Sequence, residues 1–260
     1  MPANSTEDPA DSTPTPDQVR AALKSVTDPE LDRSIVELDY IDEIRIEARG
    51  NSAHVHVAFT LPTAWCSPAF AWMMAVDTRD AAEALPTVAD CTVELCEHMH
   101  ETEVNHGVNE GISFAAAFPD AEDGITHLRA SLDEKAVLSR QYTAVETLLD
   151  AGLDLEQIAQ LEYSDIDRDA AANGIAVDVP GAALGVVAPA AAIDRYLEKA
   201  RSLDYFTASN RLFRTPDGAP IDPADAELVH RRARLAQVNM DGQGGVCDAL
   251  HQARQSEASD

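Results

Sequence analysis

Hydrophobic and polar positions change their period several times along the first hundred residues. Residues 17–26 place apolar side chains at helical spacing, and this helix ends before Pro29 because proline disfavours helical backbone in the preceding residue. Residues 53–59 then alternate strictly, which is typical of a strand with one buried face. Together with the segment 40–47 and the turn at Gly50-Asn51, this strand predicts a β-hairpin.

A second helix and a third strand follow the hairpin. Residues 68–85 are largely apolar and predict a helix, and residues 91–96 alternate again, with Cys91 on the core side. The order helix, strand, strand, helix, strand predicts a small α/β domain over residues 17–118. Residues 1–16 are rich in Pro, Ser, Thr, Asp and Glu, so we expect an acidic, disordered tail.

The second half of the chain carries helical periodicity instead of alternation. Residues 98–124 show no regular period, and helices are predicted beyond them at 128–151, 154–161, 191–203 and 222–238. We therefore expect a mainly α-helical C-terminal domain over residues 125–255. The predicted fold class is α+β, an α/β domain followed by a helical one.

Charge narrows the range of partners. The formal net charge is −27, and the three lysines are far outnumbered by acidic residues. We interpret this surface as a halophilic adaptation to a salt-rich cytoplasm, with an acidic mesophilic protein as the alternative. The charge argues against nucleic-acid binding, which needs a cationic surface. No apolar run is long enough to span a membrane, and the N-terminus lacks signal-peptide features, so we expect a cytoplasmic protein with reduced thiols.

Cys66 lies at the junction of a predicted strand and a predicted helix. The first turn of a helix offers free backbone N–H groups and the positive end of the helix dipole, and both favour the thiolate. Pro68 suits this first turn because its missing N–H is not needed there. The alternative is that Cys66 is a small buried hydrophobic residue, which is the usual role of cysteine.

A second candidate group follows the third strand. If that strand continues to residue 100, Cys96, His98 and His100 share its polar face. One thiolate and two imidazoles suit zinc or iron. The alternative is a solvated strand end with incidental histidines.

A third candidate thiol lies near the C-terminus. Residues 239–245 are rich in glycine and amides and predict a flexible turn, after which Cys247 begins another helical segment. Cys247 would then resemble Cys66 in lying at a helix start, and the two thiols could hold one metal ion or cluster. A glycine-rich loop with a core cysteine is the alternative.

Three segments of the first half resemble the SufT/PaaD-like family of iron–sulfur (metal–sulfur) cluster assembly domains. They are VTDPELDRSIVELDYIDEIRI, AHVHVAFTLPTAWCSP and CTVELC, and the resemblance covers about residues 17–97. In that family an Asp-Pro-Glu segment precedes a Ser-Ile-Val turn, and a cysteine follows the second strand. The chain departs from it in having Trp65-Cys66-Ser67-Pro68 where Cys-Pro is commoner, and in its added C-terminal helical half.

The resemblance implies a maturation factor that carries iron or an iron–sulfur cluster transiently and delivers it to a client enzyme. Zinc is an alternative cargo. The implied partners are a client metalloenzyme or other assembly proteins, and because longer relatives accompany multicomponent monooxygenases, such an enzyme is a candidate client. Cys66 would be the principal ligand. The expected pocket residues are Asp28, Glu30, Ser34, Thr63 and Ser67.

Two other functions stay open at this point. One is a metal-free structural or coupling subunit of an oxygenase complex. The other is a cysteine-dependent enzyme with Cys66 as nucleophile and His98 or His100 as base. A faint similarity of residues 148–167 to tyrosine recombinases is set aside, because Asp154 stands where an arginine is expected. The client, the metal and a homodimer remain open.

Overall fold

The computed structural model describes residues 13–121, 124–168, 174–182, 185–207, 209–215 and 217–257. The chain divides into two compact units. Unit 1 comprises the described residues up to Leu128 together with those from Gly244 onward, and unit 2 comprises Arg129–Gln243.

Unit 1 begins with the predicted helix, α1 (Pro16–Ala22). A capping box starts it, because the Thr15 hydroxyl accepts a hydrogen bond from the Gln18 N–H while the Gln18 side chain accepts one from the Thr15 N–H. A single 3₁₀ turn follows. Two short antiparallel strands come next, β1 (Thr27–Asp28) and β2 (Arg33–Ser34).

The main sheet of unit 1 has three strands in the order β3-β4-β5. The predicted hairpin is confirmed as β3 (Ile41–Arg49) and β4 (Ser52–Thr60), which pair antiparallel. Helix α2 (Pro68–Glu83) then leads to β5 (Val88–Cys96), which pairs with β4 in parallel. The alternation predicted the buried faces correctly, since every second residue from Val55 to Phe59 and from Cys91 to Leu95 is buried.

The outer edge of β5 is closed by side chains instead of a fourth strand. Asn105 and Asn109 lie one turn apart on helix α3 (Glu101–Asn109). The Asn105 amide accepts a hydrogen bond from the Leu95 N–H (2.7 Å) and donates one to the Leu95 carbonyl (3.0 Å). Asn109 bonds Val93 in the same way, at 2.9 and 2.8 Å. These amides satisfy strand-edge groups that would otherwise be exposed or unpaired.

Residues 98–124 are more regular than the sequence predicted. Besides α3, they contain the short helix α4 (Phe114–Ala117). Gly107 of α3 faces Trp72, and a Cβ atom placed on this glycine would lie 2.4 Å from the Trp72 ring. The same ring makes an edge contact with Phe114 (5.5 Å between centroids). The helix was missed because long-range packing, not local periodicity, stabilises it.

Unit 2 contains the remaining predicted helices and a small sheet that was not predicted. Its helices are α5 (Ile125–Asp150), α6 (Leu155–Gln160), α7 (Ala190–Ser202) and α8 (Ala226–Glu257), of which α5 and α8 also supply residues to unit 1. The antiparallel sheet consists of β6 (Ile166–Asp167), β7 (Ile175–Val177) and β8 (Val186–Ala188). These strands are too short to show a period of two. The α+β class is confirmed.

Helix α8 runs without interruption through the segment predicted to be a flexible turn. Residues 239–245 are helical, so Cys247 lies inside a helix and not at a helix start. The prediction was wrong because the contacts that α8 makes before and after this segment override the low helix propensity of Gly242, Gly244 and Gly245. A Cβ atom on Gly242 or Gly245 would meet nothing within 4 Å, so packing does not require glycine at either position.

None of the described helices combines the length and the apolar character that a membrane span requires.

Candidate functional site

Cys66 lies in the connection between β4 and α2. Its N–H donates to the Thr63 carbonyl (3.4 Å), and the Trp65 N–H donates to the Thr63 hydroxyl (3.2 Å). Ser67 caps α2 through its carbonyl, which accepts from Phe70 at 3.0 Å. Thr63 and Ser67, two of the expected pocket residues, therefore shape the loop that presents the thiol.

His98 fixes the same loop from the other side. Its Nε2 donates to the Cys66 carbonyl (2.9 Å), and its Nδ1 accepts from the His100 N–H (3.1 Å). The residue is only 5% exposed, and burial lowers the pKa of its imidazole. His98 is thus a neutral imidazole with both nitrogens bonded to backbone. It approaches Cys66 as a positioning residue, with no free lone pair for a metal ion.

The expectation that Cys96, His98 and His100 share one strand face is wrong. Strand β5 ends at Cys96, and Glu97 adopts a left-handed backbone (φ 52°) that turns the chain before α3 begins. His100 then lies at the start of α3.

The surroundings of Cys96 and His100 also differ from those of Cys66. Burial raises the pKa of Cys96 most, and the charges of Glu94 and Asp42 raise it as well. The carboxylates near this thiol therefore differ from those near Cys66. The His100 ring packs against Phe118 with centroids 5.5 Å apart. Within the described ranges, no three or more His, Cys, Asp or Glu side chains form a group that could hold a metal ion.

Asp28 is a buried carboxylate that organises the loop after β1. One oxygen accepts from the N–H groups of Glu30 (2.9 Å) and Leu31 (3.2 Å), and the other accepts from the Tyr40 hydroxyl (3.4 Å). Its side chain belongs to a residue only 5% exposed, and this burial outweighs the hydrogen bonds and raises its pKa. Ser34, which accepts from the Val36 N–H (3.2 Å), holds the next turn.

The thiols of Cys66 and Cys247 share one electrostatic environment. Both are half-buried and pack against the hydrophobic core of unit 1. Burial, followed by the charges of Asp28, Glu30 and Cys247, raises the pKa of Cys66 to about 12, while the Ser67 N–H acts in the opposite direction. Burial and the same two carboxylates also raise the pKa of Cys247.

The predicted thiolate at Cys66 is therefore wrong for the metal-free protein. The helix amide is present as expected, but desolvation and two nearby carboxylates outweigh it. Asp28 and Glu30, expected as pocket residues, do lie close enough to act on the thiol.

Cys247 reaches this site because the end of α8 belongs to unit 1 and packs on the rest of that unit. We call residues 244–254 the C-terminal strap. Its contacts are the ion pair of Asp248 with Arg33 (3.0 Å), the ring contact of His251 with Tyr40 (5.8 Å between centroids), and the hydrogen bond from Arg254 to the Leu61 carbonyl (2.5 Å). Arg254 also pairs with Glu97. The strap thus contacts four separate segments of unit 1, at Arg33, Tyr40, Leu61 and Glu97.

An apolar surface lies next to the thiol. Trp65 is 76% exposed and Met99 is 52% exposed. The two residues are held near each other because the Met99 N–H donates to the Ala64 carbonyl (3.1 Å). Large exposed apolar side chains that lie together are typical of contact sites for other proteins.

Residues 16–95 match a family model described as iron-sulfur cluster assembly protein. The predicted resemblance is confirmed over this segment, which runs from α1 almost to the end of β5 and contains Asp28 and Cys66. The strap with Cys247 lies outside the match. No curated protein and no solved structure matches the chain.

Proposed function

We propose that the protein carries iron or an iron–sulfur cluster on Cys66 and passes it to a client metalloenzyme. Iron–sulfur cluster assembly is the general role of the family that residues 16–95 match. The observation that supports the finer proposal is the half-buried Cys66 thiol beside Asp28 and Glu30, inside that segment. Carboxylates near a thiol offset the charge of a bound cation.

A small number of protein ligands at Cys66 suits cargo that must leave again. A closed four-ligand site would hold a metal ion as a structural element, whereas a site with few protein ligands leaves positions for sulfide or for a client's thiolate. Because the pKa of Cys66 is about 12, the thiol is protonated at neutral pH, and metal binding must release its proton. Binding should therefore weaken as the pH falls.

The partner in this proposal is a client metalloenzyme or another assembly protein, and a multicomponent monooxygenase is the client that the sequence resemblance suggests. The surface formed by Trp65 and Met99 would contact it, since it adjoins the thiol that holds the cargo. A cytoplasmic location belongs to the same proposal, because transfer by thiolate needs reduced cysteines.

A cysteine-dependent enzyme fits the geometry less well. His98 is the histidine that contacts the Cys66 loop, but both of its nitrogens are bonded to backbone groups. It therefore has no free lone pair with which to take the thiol proton. A raised thiol pKa also disfavours nucleophilic attack at neutral pH.

Anaerobic reconstitution tests the proposal. The reduced protein and its Cys66→Ser variant would receive ferrous iron and sulfide in high salt, and bound iron and visible absorption would be measured after desalting. Cys96→Ser is the matched control, because its thiol lies beside Glu94 and Asp42 instead. We expect iron in the wild type and the control and its loss in Cys66→Ser. No iron in the wild type would refute a carrier and favour a metal-free accessory subunit.

A further inference from the structure

We infer that Cys247 supplies the second thiolate of the site, so that the metal cargo is held between Cys66 and Cys247. The inference rests on the proposed function and adds a ligand from outside the segment that matches the family model. Its basis is the placement of the strap on unit 1.

The strap holds Cys247 against the rest of unit 1 through contacts made just after this residue. The neighbouring Asp248 binds one Arg33 nitrogen with both carboxylate oxygens, at 3.0 and 3.2 Å. His251 lies one turn further along the helix and packs on the Tyr40 ring. Side chains four residues apart share a helix face. Cys247 therefore lies on the same face as His251, which packs against the rest of unit 1.

Tyr40 connects this face to the buried carboxylate. Its hydroxyl bonds Asp28, and both Cys66 and Cys247 act on its ionisation. Tyr40, bonded to Asp28, belongs to the hydrophobic core of unit 1, and Cys66 and Cys247 both pack, partly buried, against that same core.

Charge favours a cation between the two thiols. Two thiolates beside Asp28 and Glu30 would bring together four negative charges in a half-buried place, which is unfavourable without a counter-ion. A divalent cation offsets that repulsion. Binding replaces two S–H bonds with two sulfur–metal bonds and releases two protons, with no change of oxidation state.

The chemistry of the ligands defines the cargo. Two thiolates select a thiophilic cation such as ferrous iron, and a tetrahedral ion would keep two positions free. Sulfide or thiolates of a recipient protein can occupy those positions.

Cobalt(II) gives a direct test, because thiolate-to-cobalt absorption reports the number of thiolate ligands. The full-length reduced protein would be titrated anaerobically alongside the variants Cys66→Ser, Cys247→Ser and Cys96→Ser, with released protons measured in weak buffer. We expect two protons per cobalt in the wild type. We expect one proton, weaker charge-transfer absorption and affinity lower by at least about tenfold in Cys247→Ser. Cys96→Ser should resemble the wild type.

The outcomes separate the two proposals. Loss in Cys66→Ser with unchanged binding in Cys247→Ser would overturn the second ligand and leave Cys66 as the carrier. A wild type that binds neither cobalt nor iron would overturn both. Circular dichroism would establish that each variant is folded, and Cys247→Ala would repeat the test without a hydroxyl that could replace the thiolate.

Discussion

Replacing Gly245 by alanine should stabilise the strap, whereas the same change at Gly107 should destabilise unit 1. Both glycines lie inside helices, where alanine is favoured over glycine by about 1 kcal/mol. At Gly245 a Cβ atom meets nothing within 4 Å, so the full gain is expected. At Gly107 it would lie 2.4 Å from the buried Trp72 ring. Overpacking of this kind costs about 1–3 kcal/mol.

Amide hydrogen exchange over residues 246–254 measures the effect on the strap. A gain of about 1 kcal/mol should lower the population of opened strap about fivefold and slow exchange by the same factor. Urea unfolding measures the effect of Gly107→Ala, for which we expect a net loss of up to about 2 kcal/mol after the gain in helix propensity.

The test is whether each substitution stabilises or destabilises the protein. Faster exchange in Gly245→Ala would show that this part of α8 is not held as a helix against unit 1. Increased stability in Gly107→Ala would contradict the close packing of α3 against Trp72. Both variants keep all four cysteines, so metal binding can be compared in the same samples.

Three further substitutions test the candidate site and the structure that supports it. Asp28→Asn should lower the pKa of Cys66 in the metal-free protein and speed its alkylation at pH 9, while the wild-type rate should keep rising toward pH 12; equal rates in both proteins at pH 9 would contradict the assigned charge effect. His98 has a lowered pKa in the folded protein, so it stabilises the fold above its unfolded pKa of about 6.5, and this contribution is lost as the pH falls. The unfolding free energies at pH 7.5 and pH 5 should therefore differ less in His98→Asn than in the wild type. Asn105→Ala should cost about 1–3 kcal/mol in urea unfolding, because the N–H of Leu95 loses its acceptor.

Local periodicity was enough to predict the centre of unit 1. The alternation of β4 and the turn at Gly50 depend on neighbouring residues, and so does the helix start at Pro68. The Asn105 and Asn109 bonds to β5 could not be predicted, because they depend on where α3 packs. The continuous α8 escaped prediction for the same reason, since contacts beyond the helix outweigh three glycines.

The sequence likewise predicted only part of the candidate site. The position of Cys66 after a strand followed from the sequence, and the resemblance pointed to Asp28 and Glu30 as its neighbours. The raised pKa of Cys66 did not follow, because burial and through-space charge appear only once the chain is folded. Tyr40 and the backbone bonds of His98 gave no signal in the sequence, since nothing local marks a side chain that bonds a distant residue.

The position of the strap in the chain also determines the order in which the two thiols are synthesised. Its ion pair joins Arg33 to a residue 215 positions later in the chain. During synthesis Cys66 leaves the ribosome first, and Cys247 follows about 180 residues later, which is about 10–40 s at ordinary rates of translation. A nascent chain in that interval has one thiol of the pair and no strap to cover it. Loading of a two-thiol site would thus be restricted to chains made at least as far as the strap.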